Sequence, residues 1–310
     1  MKKVLVTGAA GAIGLSLIKY LLSEGKYEIT ALDLKNKNVY KRLKRYRRRV
    51  NIIYGDVLDR TLIEALVKDH DCIIHLSTCM PPLAEYKKDL VDIIEFNGVE
   101  NIVRAINYYN PKCELIYAST TSLYNEDDAI ASAKIKIGDF DFFNDAKYNA
   151  EKFIAKKLKH YSIIRVPLVL SDLRSEHFIY NIKRDALVEV ISKEDAAYAF
   201  CRAVDKQNII NKKILNIGGG ETCRCTYREL LISILKYHGF SWKYLLATLF
   251  IAKNYKSPIL LDSEYSNEVL KYRNDSLQSY FMRQKRRSKN RKIAIMFGKS
   301  FIRILQRKEK

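Results

Sequence analysis

The sequence is sparing in cysteine and has no long apolar run. Its six cysteines are scattered, and no two of them form a CxxC pair. The most apolar stretch, Tyr244 to Ala252, is far shorter than the roughly 20 residues that a membrane-spanning helix needs. The first residues pass directly into a glycine-rich stretch, without the apolar core of a signal peptide. We therefore expect a reduced, cytoplasmic compartment and no transmembrane segment.

Acidic residues are also under-represented, and the imbalance is local. The chain has 55 Lys and Arg against 35 Asp and Glu, a formal charge of +20. Residues 34–50 hold nine basic residues and no acid, and residues 283–310 hold twelve basic residues and one acid. The rest of the chain is balanced, with 34 basic and 34 acidic residues. This distribution argues against a protein that coats nucleic acid uniformly and favours a neutral body with two cationic segments.

Short apolar runs alternate with helical patterns through the first half of the chain. Strands buried on both faces with helices between them predict an α/β fold, a Rossmann-type doubly wound parallel sheet. The alternation loosens after residue 167. We expect a Rossmann domain over 1–167 with contributions from 185–220, a substrate-binding lobe over 168–282 and a basic amphipathic tail over 283–310.

A glycine-rich turn separates the first predicted strand from the first helix. Gly8, Gly11 and Gly14 would let a pyrophosphate approach the N–H groups of that helix. Asp33, at the end of the second strand, is placed to accept hydrogen bonds from the adenosine ribose, which favours NAD over NADP. Lys35 and Lys37 could offset that charge. A tight turn without a ligand and a solvated Asp are the alternatives.

Tyr148 and Lys152 are four residues apart in a predicted amphipathic helix, which we expect Asn144 or Asp145 to open. Residues at this spacing share a helix face, and a nearby ammonium favours the phenolate form of tyrosine. The pair therefore suits acid/base chemistry. An exposed helix pair without a function is the alternative, because tyrosine and lysine are both common here.

Several motifs occur in an order that resembles the extended short-chain dehydrogenase/reductases, and more closely their NAD-dependent epimerase/dehydratase branch. These motifs are TGAAGAIG at 7–14, Asp33, GDV at 55–57, HL at 75–76, STTSLY at 119–124, Tyr148 with Lys152, and RVP at 165–167. The resemblance covers roughly residues 2–235. It implies NAD as the cofactor.

The resemblance also implies roles for individual residues. Tyr148 would be the acid/base, Lys152 would hold the nicotinamide ribose and lower the tyrosine pKa, and Thr120 would bond the reacting oxygen. The implied cofactor-binding residues are Gly8, Gly11, Ala12, Ile13, Gly14, Asp33, Asp56, Val57 and Lys152, with Asp56 and Val57 at the adenine. Thr120 as a strand-end hydroxyl and Asp56 as a turn residue are the alternatives.

The sequence departs from this family in three places. Ser77, Thr78, Cys79 and Met80 follow His75-Leu76, where many relatives have small residues. The family's asparagine before the central helix aligns with Glu95 if Gly98 is matched, and with Asn97 otherwise. The stretch between Pro167 and Asp195 is short for a sugar-nucleotide epimerase.

The five histidines lack metal-ligand spacing, so no metal site is expected. In the basic tail, Ile293, Met296, Phe297 and Phe301 fall on one predicted helix face. That face suits an anionic membrane surface, or docking on the protein's own lobe or on a second subunit in a homodimer; nucleic acid is the least favoured partner. We expect the basic residues of 34–50 to form a solvated surface.

These observations predict an NAD-dependent enzyme that transfers hydride at a carbinol carbon of a small molecule, most plausibly a nucleotide sugar. Tyr148 would remove the hydroxyl proton. The sequence does not separate an epimerase from a dehydratase or a dehydrogenase. The alternative is a non-catalytic NAD-binding regulatory or scaffold protein tethered by its tail. We expect a cytoplasmic protein, either free or peripheral at the inner face of the membrane.

Overall fold

A seven-stranded sheet forms the centre of the protein in a computed structural model that describes residues 1–79, 88–124, 130–131, 142–171, 182, 185–238, 258–260 and 262–288. The strands are β1 (Lys2–Thr7), β2 (Tyr27–Asp33), β3 (Asn51–Tyr54), β4 (Cys72–His75), β5 (Glu114–Thr120), β6 (Ile130–Ala131), β7 (Tyr161–Val166), β8 (Leu168–Leu170), β9 (Leu187–Ser192), β10 (Lys213–Asn216), β11 (Arg224–Thr226) and β12 (Ile259–Leu260).

Helices connect these strands. The helices are α1 (Ala12–Glu24), α2 (Lys37–Leu43), α3 (Arg60–Lys68), α4 (Lys88–Asp92), α5 (Gly98–Tyr109), α6 (Phe142–Lys157), α7 (Lys193–Asp205), α8 (Gln207–Ile210), α9 (Tyr227–His238), α10 (Ser263–Leu270) and α11 (Leu277–Ser288). A π-helical turn over Ile93–Asn97 joins α4 to α5. Among the described helices, none has the length and apolarity needed to span a bilayer.

All strand pairings in the central sheet are parallel, in the order β10-β7-β5-β4-β1-β2-β3. The predicted Rossmann-type α/β fold is confirmed. The strand order reverses between β1 and β4, so a crevice opens at their carboxyl ends, where open α/β sheets bind their ligands. The ends of β1, β2 and β5 carry Gly8, Asp33 and Thr120, which places these predicted site residues along one edge of the sheet.

Alternating side chains give the sheet two buried faces. In β1, Val4 and Val6 belong to a cluster with α1, α2 and α7, whereas Leu5 belongs to a cluster with α3, α5 and α6. All three side chains are fully buried. Because both faces of the sheet are buried, the strands appear in the sequence as continuous apolar runs.

Smaller sheets follow the central one. Strand β9 pairs with β8 in parallel and with β11 in antiparallel register, and β12 pairs with β6. A third apolar cluster lies around β9, α9 and α11. A capping box opens α9, because the Glu229 carboxylate accepts bonds from the N–H and hydroxyl of Thr226. The division of the chain into domains at residue 167 stays a prediction.

Asp195 is a buried acid in the first turn of α7. One carboxylate oxygen, Oδ2, accepts bonds from the N–H groups of Asn274 and Asp275, at 3.1 and 2.9 Å. Its other oxygen has no hydrogen-bond partner among the described residues. Burial raises the pKa of Asp195 to about 6. The folded protein therefore holds this proton more tightly than the unfolded chain does.

Asp195→Asn should remove this titration. The folded-state pKa lies above the unfolded value, so Asp195 weakens the wild-type fold as the pH rises through about 4 to 6. The unfolding free energy of the variant minus that of the wild type should therefore increase by about 3 kcal/mol between about pH 4 and pH 7. Urea unfolding at several pH values measures this. Asp205→Asn is the control of opposite sign, because Lys26 and Tyr27 lower the pKa of Asp205 against its burial. A pH-independent difference for Asp195→Asn would contradict the assignment.

Candidate functional site

The glycine turn after β1 is packed too closely for side chains. Gly8 has φ +64°, and a Cβ there would lie 2.8 Å from the backbone carbon of Leu76. A Cβ on Gly14 would lie 2.6 Å from the carbonyl oxygen of Gly8. Gly11 donates its N–H to that same oxygen at 3.0 Å. The turn therefore holds the start of α1 directly against the end of β1.

The amino terminus of α1 faces this turn. Leu15 is the first residue to donate an N–H within the helix, to the carbonyl of Gly11. The N–H groups of Ala12, Ile13 and Gly14 precede it and have no intrahelical acceptor. Together with the positive end of the helix dipole, they form an anion-binding site of the kind that holds a pyrophosphate.

Asp33 is tied to the glycine turn. Its Oδ2 accepts the N–H of Ala10 at 2.7 Å, and its Oδ1 accepts the N–H of Leu34 at 2.8 Å. Arg42, on α2, donates to the carbonyl of Ala10 at 3.1 Å. The half-buried carboxylate thus lies beside the turn, as the sequence predicts. The contact of Arg42 with this turn could not be predicted from the sequence and is visible only in the folded structure.

Asp56 and Val57 lie next along the same edge. The N–H of Gly55 donates to the carbonyl of Asp33 at 3.0 Å, and Asp56 Oδ1 accepts the N–H of Leu58 at 3.0 Å. Val57 is buried, and Asn101 Nδ2 donates to its carbonyl. The contacts of Asp56 are those of a turn residue, as in the alternative interpretation. Its position next to Gly55, which bonds Asp33, is also compatible with a contact to adenine.

A hydroxyl network follows β5. Thr120 Oγ1 lies 2.9 Å from Ser122 Oγ and accepts the N–H of Ser122 at 3.1 Å. Ser122 Oγ donates to Asn144 Oδ1 at 2.5 Å. All three side chains are buried. The network connects the end of β5 to helix α6, and its members Ser122 and Asn144 were not predicted as site residues.

Helix α6 carries Tyr148 and Lys152. The prediction that Asn144 or Asp145 opens this helix is wrong, because α6 already includes Phe142. Asn144 lies inside the first turn, and its side chain turns to Ser122 rather than capping the helix. Tyr148 is half-buried and Lys152 is exposed. The Lys152 ammonium lies 4.9 Å from the centre of the Tyr148 ring, so the two side chains share a face as predicted.

Two buried ion pairs hold α6 on either side of Tyr148. Lys147 Nζ lies 2.9 Å from Glu95 Oε2, and Arg165 donates to both carboxylate oxygens of Glu151, at 2.9 and 2.6 Å. All four residues are at most 3% exposed. The first pair fastens α6 to the π-helical turn, and the second fastens it to β7.

Lys147 and Glu95 reach further partners. Lys147 also donates to the carbonyl of Ala118, at 3.0 Å, and lies 4.8 Å from the centre of the Tyr117 ring. Glu95 Oε1 accepts bonds from the Thr78 hydroxyl and the Cys79 N–H. Glu95 therefore holds the segment after β4, where the sequence departs from the family pattern.

His75 ends β4 in the same buried region. Its Nδ1 lies 2.7 Å from the hydroxyl of Thr7, and its ring stacks on that of Tyr117. Burial, with a smaller effect of Lys147, lowers the pKa of His75 to about 3. The imidazole is thus neutral at physiological pH, and it fixes β1 to β4 at the crevice.

The structure thus brings the predicted residues together in two groups. The glycine turn, Asp33 and Asp56 form one group around the ends of β1 to β3. Thr120, Tyr148 and Lys152 form the other, around β5 and α6. Only β4 separates β1 from β5, so two strand spacings, about 10 Å, divide the groups, a distance that an extended dinucleotide covers.

The sequence matches a known family over the region that builds this site. Residues 4–165 match the NAD-dependent epimerase/dehydratase family. The chain belongs to that family. The match extends from β1 to β7 and includes both groups of site residues.

Curated relatives of this epimerase/dehydratase family chain include two sugar-nucleotide enzymes. UDP-N-acetyl-alpha-D-glucosaminuronate decarboxylase of Bacillus cytotoxicus is 31% identical over 150 residues, which are 44% of each chain. CDP-paratose 2-epimerase of Salmonella typhi is 26% identical over 129 residues, 40% of this chain and 38% of the relative. The aligned region thus spans less than half the length of either relative.

Solved structures show the same fold over nearly the whole chain. UDP-glucuronic acid 4-epimerase from Bacillus cereus, in complex with NAD, superposes with a TM-score of 0.74 and 18% identity, covering 94% of this chain and 99% of the other. dTDP-glucose 4,6-dehydratase from Bacillus anthracis, also in complex with NAD, gives 0.77 and 14%, covering 95% and 98%. At these identities the likeness establishes the fold.

The residues present fit NAD, the cofactor of the family. The space beside Gly8 and Gly14 is already filled by backbone, so only glycine allows the turn to form the cradle at the start of α1. The Asp33 carboxylate lies beside that cradle. A carboxylate at this position accepts ribose hydroxyls and disfavours a 2′-phosphate.

Alanine substitutions should distinguish the glycine that is needed for backbone packing, Gly14, from the glycine that is needed for approach of the cofactor, Gly11. Gly14→Ala forces a Cβ against the Gly8 carbonyl, so we expect a loss of about 1–3 kcal/mol in stability and weaker NAD binding. Gly11 has an ordinary φ of −65° and more space, with its nearest contact at 3.1 Å. Gly11→Ala should therefore cost less stability than Gly14→Ala and should lose roughly tenfold or more in NAD affinity, because its methyl group would face the pyrophosphate in the cofactor position that the family resemblance implies. Thermal unfolding and calorimetric titration measure both effects. Unchanged NAD affinity in Gly11→Ala would place the pyrophosphate elsewhere.

A double-mutant cycle should reveal the strength of the Lys147–Glu95 pair. Lys147→Met or Glu95→Gln leaves one buried charge without its partner, and each should cost about 3–5 kcal/mol of stability. The double variant should lose less than the sum. The exposed pair Arg60–Glu64, with the variants Arg60→Met and Glu64→Gln, is the matched control, and its coupling should be about 0.5 kcal/mol. Additive losses at 147 and 95 would show that the pair is not coupled.

Proposed function

We propose that this protein is an NAD-dependent oxidoreductase of the epimerase/dehydratase type that transfers hydride at a carbinol carbon of a nucleotide sugar. The observation that carries the proposal is the position of Tyr148 and Lys152. They share one face of α6, beside the hydroxyl network of Thr120 and two strands from the glycine turn. This arrangement joins an acid/base, a cationic neighbour and a dinucleotide cradle in one crevice.

The cofactor would lie across the carboxyl ends of the strands. The N–H groups of Ala12, Ile13 and Gly14 would hold the pyrophosphate, with Gly8 and Gly11 giving the turn its shape and leaving room for the ligand. Asp33 accepts the adenosine ribose hydroxyls, and Asp56 and Val57 line the adenine. When bound, NAD supplies the hydride acceptor at the nicotinamide ring.

Tyr148 is the acid/base in this proposal. The Lys152 ammonium lies 4.9 Å from its ring centre, and the tyrosine oxygen takes the proton of the substrate hydroxyl as the hydride leaves the same carbon. Lys152 is exposed, and in this proposal it also bonds the nicotinamide ribose. The two buried ion pairs fix the backbone of α6 at residues 147 and 151, and thereby the direction of the tyrosine.

Thr120 would bond the reacting oxygen of the substrate. The Ser122 hydroxyl donates to Asn144, so the Thr120 hydroxyl directs its proton to Ser122 Oγ. Rotation about its C–O bond redirects that proton to a substrate oxygen, while the N–H of Ser122 continues to donate to Thr120. The network thereby supplies a hydrogen bond to the developing alkoxide.

The nucleotide-sugar class is supported by the relatives. Both curated relatives reported above are named for nucleotide-sugar substrates. Epimerisation returns the hydride to the opposite face of the carbonyl, and a dehydrogenase releases the ketone. The chemistry of the crevice is the same in both cases.

The basic tail is a second part of the proposal. Helix α11 extends through the start of the tail to Ser288, and Arg283 pairs with Asp275 on the body. The predicted apolar face with Ile293 and Phe297 lies outside the described residues. An anionic membrane surface remains our proposed partner for 283–310, with docking on the protein itself or in a homodimer as the competing proposal.

Tyr148→Phe should abolish turnover and retain the cofactor. Loss of the phenol should lower kcat by about 10²–10⁴-fold, while NAD affinity stays close to that of the wild type. Nicotinamide absorbance and product stereochemistry over a panel of UDP-, CDP- and dTDP-sugars measure turnover. Tyr108→Phe, at a tyrosine that is 81% exposed, is the control. Wild-type turnover in Tyr148→Phe would refute the catalytic assignment, and loss of NAD binding would assign Tyr148 to the cofactor site alone.

A further inference from the structure

Nine basic side chains cover one exposed surface between β2 and β3. We call it the basic surface, and its members are Lys35, Lys37, Lys41, Arg42, Lys44, Arg45, Arg47, Arg48 and Arg49. All nine are exposed. The segment contains no acid, and none of the nine takes part in an ion pair with another described residue. The charge is therefore uncompensated within the described part of the chain.

The basic surface is firmly anchored. Asn36 caps α2 by accepting the N–H groups of Asn38 and Val39. Buried residues then recur at Val39, Leu43 and Tyr46 and pack in the cluster around α1. This inward face fixes the backbone, so the cations between these residues project outward from a fixed scaffold and not from a loose segment.

A cavity of about 410 Å³ opens within this surface, beside the edge strand β3. Lys44 and Arg47 contribute its cations, and Tyr40, Asn51 and Tyr54 contribute polar and aromatic walls. The Tyr40 and Tyr54 rings lie 6.2 Å apart, and the Lys44 ammonium lies 5.9 Å from the Tyr40 ring centre. Two cations at a cavity with hydrogen-bond donors suit a phosphate group.

Exposed apolar groups accompany the charge. Leu34 is 52% exposed and Tyr40 is 50% exposed, although both are large apolar side chains. Basic residues mixed with an aliphatic side chain and a tyrosine are typical of surfaces that sit at the headgroup level of a bilayer. A soluble polyanion would gain nothing from Leu34.

A second cationic segment begins near the same helix. Tyr46, in the basic segment, donates its hydroxyl to the carbonyl of Leu15 on α1. Further along α1, burial and the carboxylates of Asp195 and its neighbours raise the pKa of Tyr20, and Arg283 partly offsets this increase. Arg283 is the first basic residue of the tail segment 283–310. The electrostatic effect of Arg283 thus reaches Tyr20 on α1, the helix to which Tyr46 anchors the basic segment.

We propose that the basic surface docks this protein on an anionic phospholipid membrane, with a lipid phosphate in the cavity between Lys44 and Arg47. Leu34 and Tyr40 enter the headgroup layer, and the cations surrounding them contact lipid phosphates. RNA is the competing polyanion. It is disfavoured because stacking along a strand needs a row of rings, whereas this surface offers two tilted tyrosines and an aliphatic side chain.

Charge neutralisation in the full-length chain tests the proposal. The test variant carries Lys41→Gln, Lys44→Gln, Arg47→Gln and Arg48→Gln, and leaves Arg42 on its backbone contact. The control variant carries Lys112→Gln, Lys156→Gln, Lys157→Gln and Lys159→Gln. The control residues are exposed and lie near the starts of β5 and β7. In the sheet these two strands are separated from β3 by β4, β1 and β2. Both variants lose the same charge and keep the tail.

Binding is measured by co-sedimentation with vesicles of equal parts phosphatidylglycerol and phosphatidylcholine, with pure phosphatidylcholine as the neutral reference. The wild type should bind the anionic vesicles in a salt-dependent manner. The test variant should bind about 600-fold more weakly, since each of the four basic side chains near such a surface contributes about fivefold. The control variant should bind almost like the wild type. Unchanged thermal unfolding and circular dichroism show that both variants fold.

Three results would overturn the proposal. Equal losses in both variants would mean that only the net charge matters. Undiminished vesicle binding by the test variant would assign membrane contact to the tail alone. In a parallel titration with single-stranded RNA of mixed sequence, a loss confined to RNA would make this surface a nucleic-acid site.

Discussion

The ion pair between Lys147 and Glu95 is the contact on which the candidate active site depends. Two charges that are almost fully buried persist only because they neutralise each other and find further hydrogen-bond partners. Lys147 bonds the end of β5, and Glu95 bonds the segment that follows β4. A single pair therefore fixes three elements, helix α6, strand β5 and the segment after β4, relative to one another.

The geometry of the sheet explains why these elements meet where they do. The reversal of strand order beside β1 leaves a crevice at the carboxyl ends of the strands, and the ends of β2 and β5 bring Asp33 and Thr120 to its rim. The glycine turn then brings the start of α1 to that crevice, because a side chain at Gly8 or Gly14 would collide with backbone. The residues proposed for cofactor binding and for catalysis thus lie along one sheet edge, and the buried ion pairs hold the half that carries Tyr148.

The sequence predicts the parts of this site that follow from local pattern. A glycine turn between a strand and a helix, an acid at the end of β2 and the spacing from Tyr148 to Lys152 are all local, and the structure places each accordingly. The start of α6 was predicted wrongly because Asn144 resembles a cap but bonds Ser122, a partner from another element. The role of Lys147 could not be predicted for the same reason, because its ion-pair partner, Glu95, lies 52 positions earlier in the chain. The available signal was Glu95, which aligns with the family's asparagine if Gly98 is matched.

The position of β3 at the edge of the sheet has a consequence for how copies of the protein meet. An unpaired outer strand offers free N–H and C=O groups, to which a strand of another copy can add. The clustered cations beside β3 repel the same cluster on a neighbouring molecule, so strand-to-strand growth at this edge is electrostatically opposed. The positive charge of the basic surface therefore also opposes aggregation through β3.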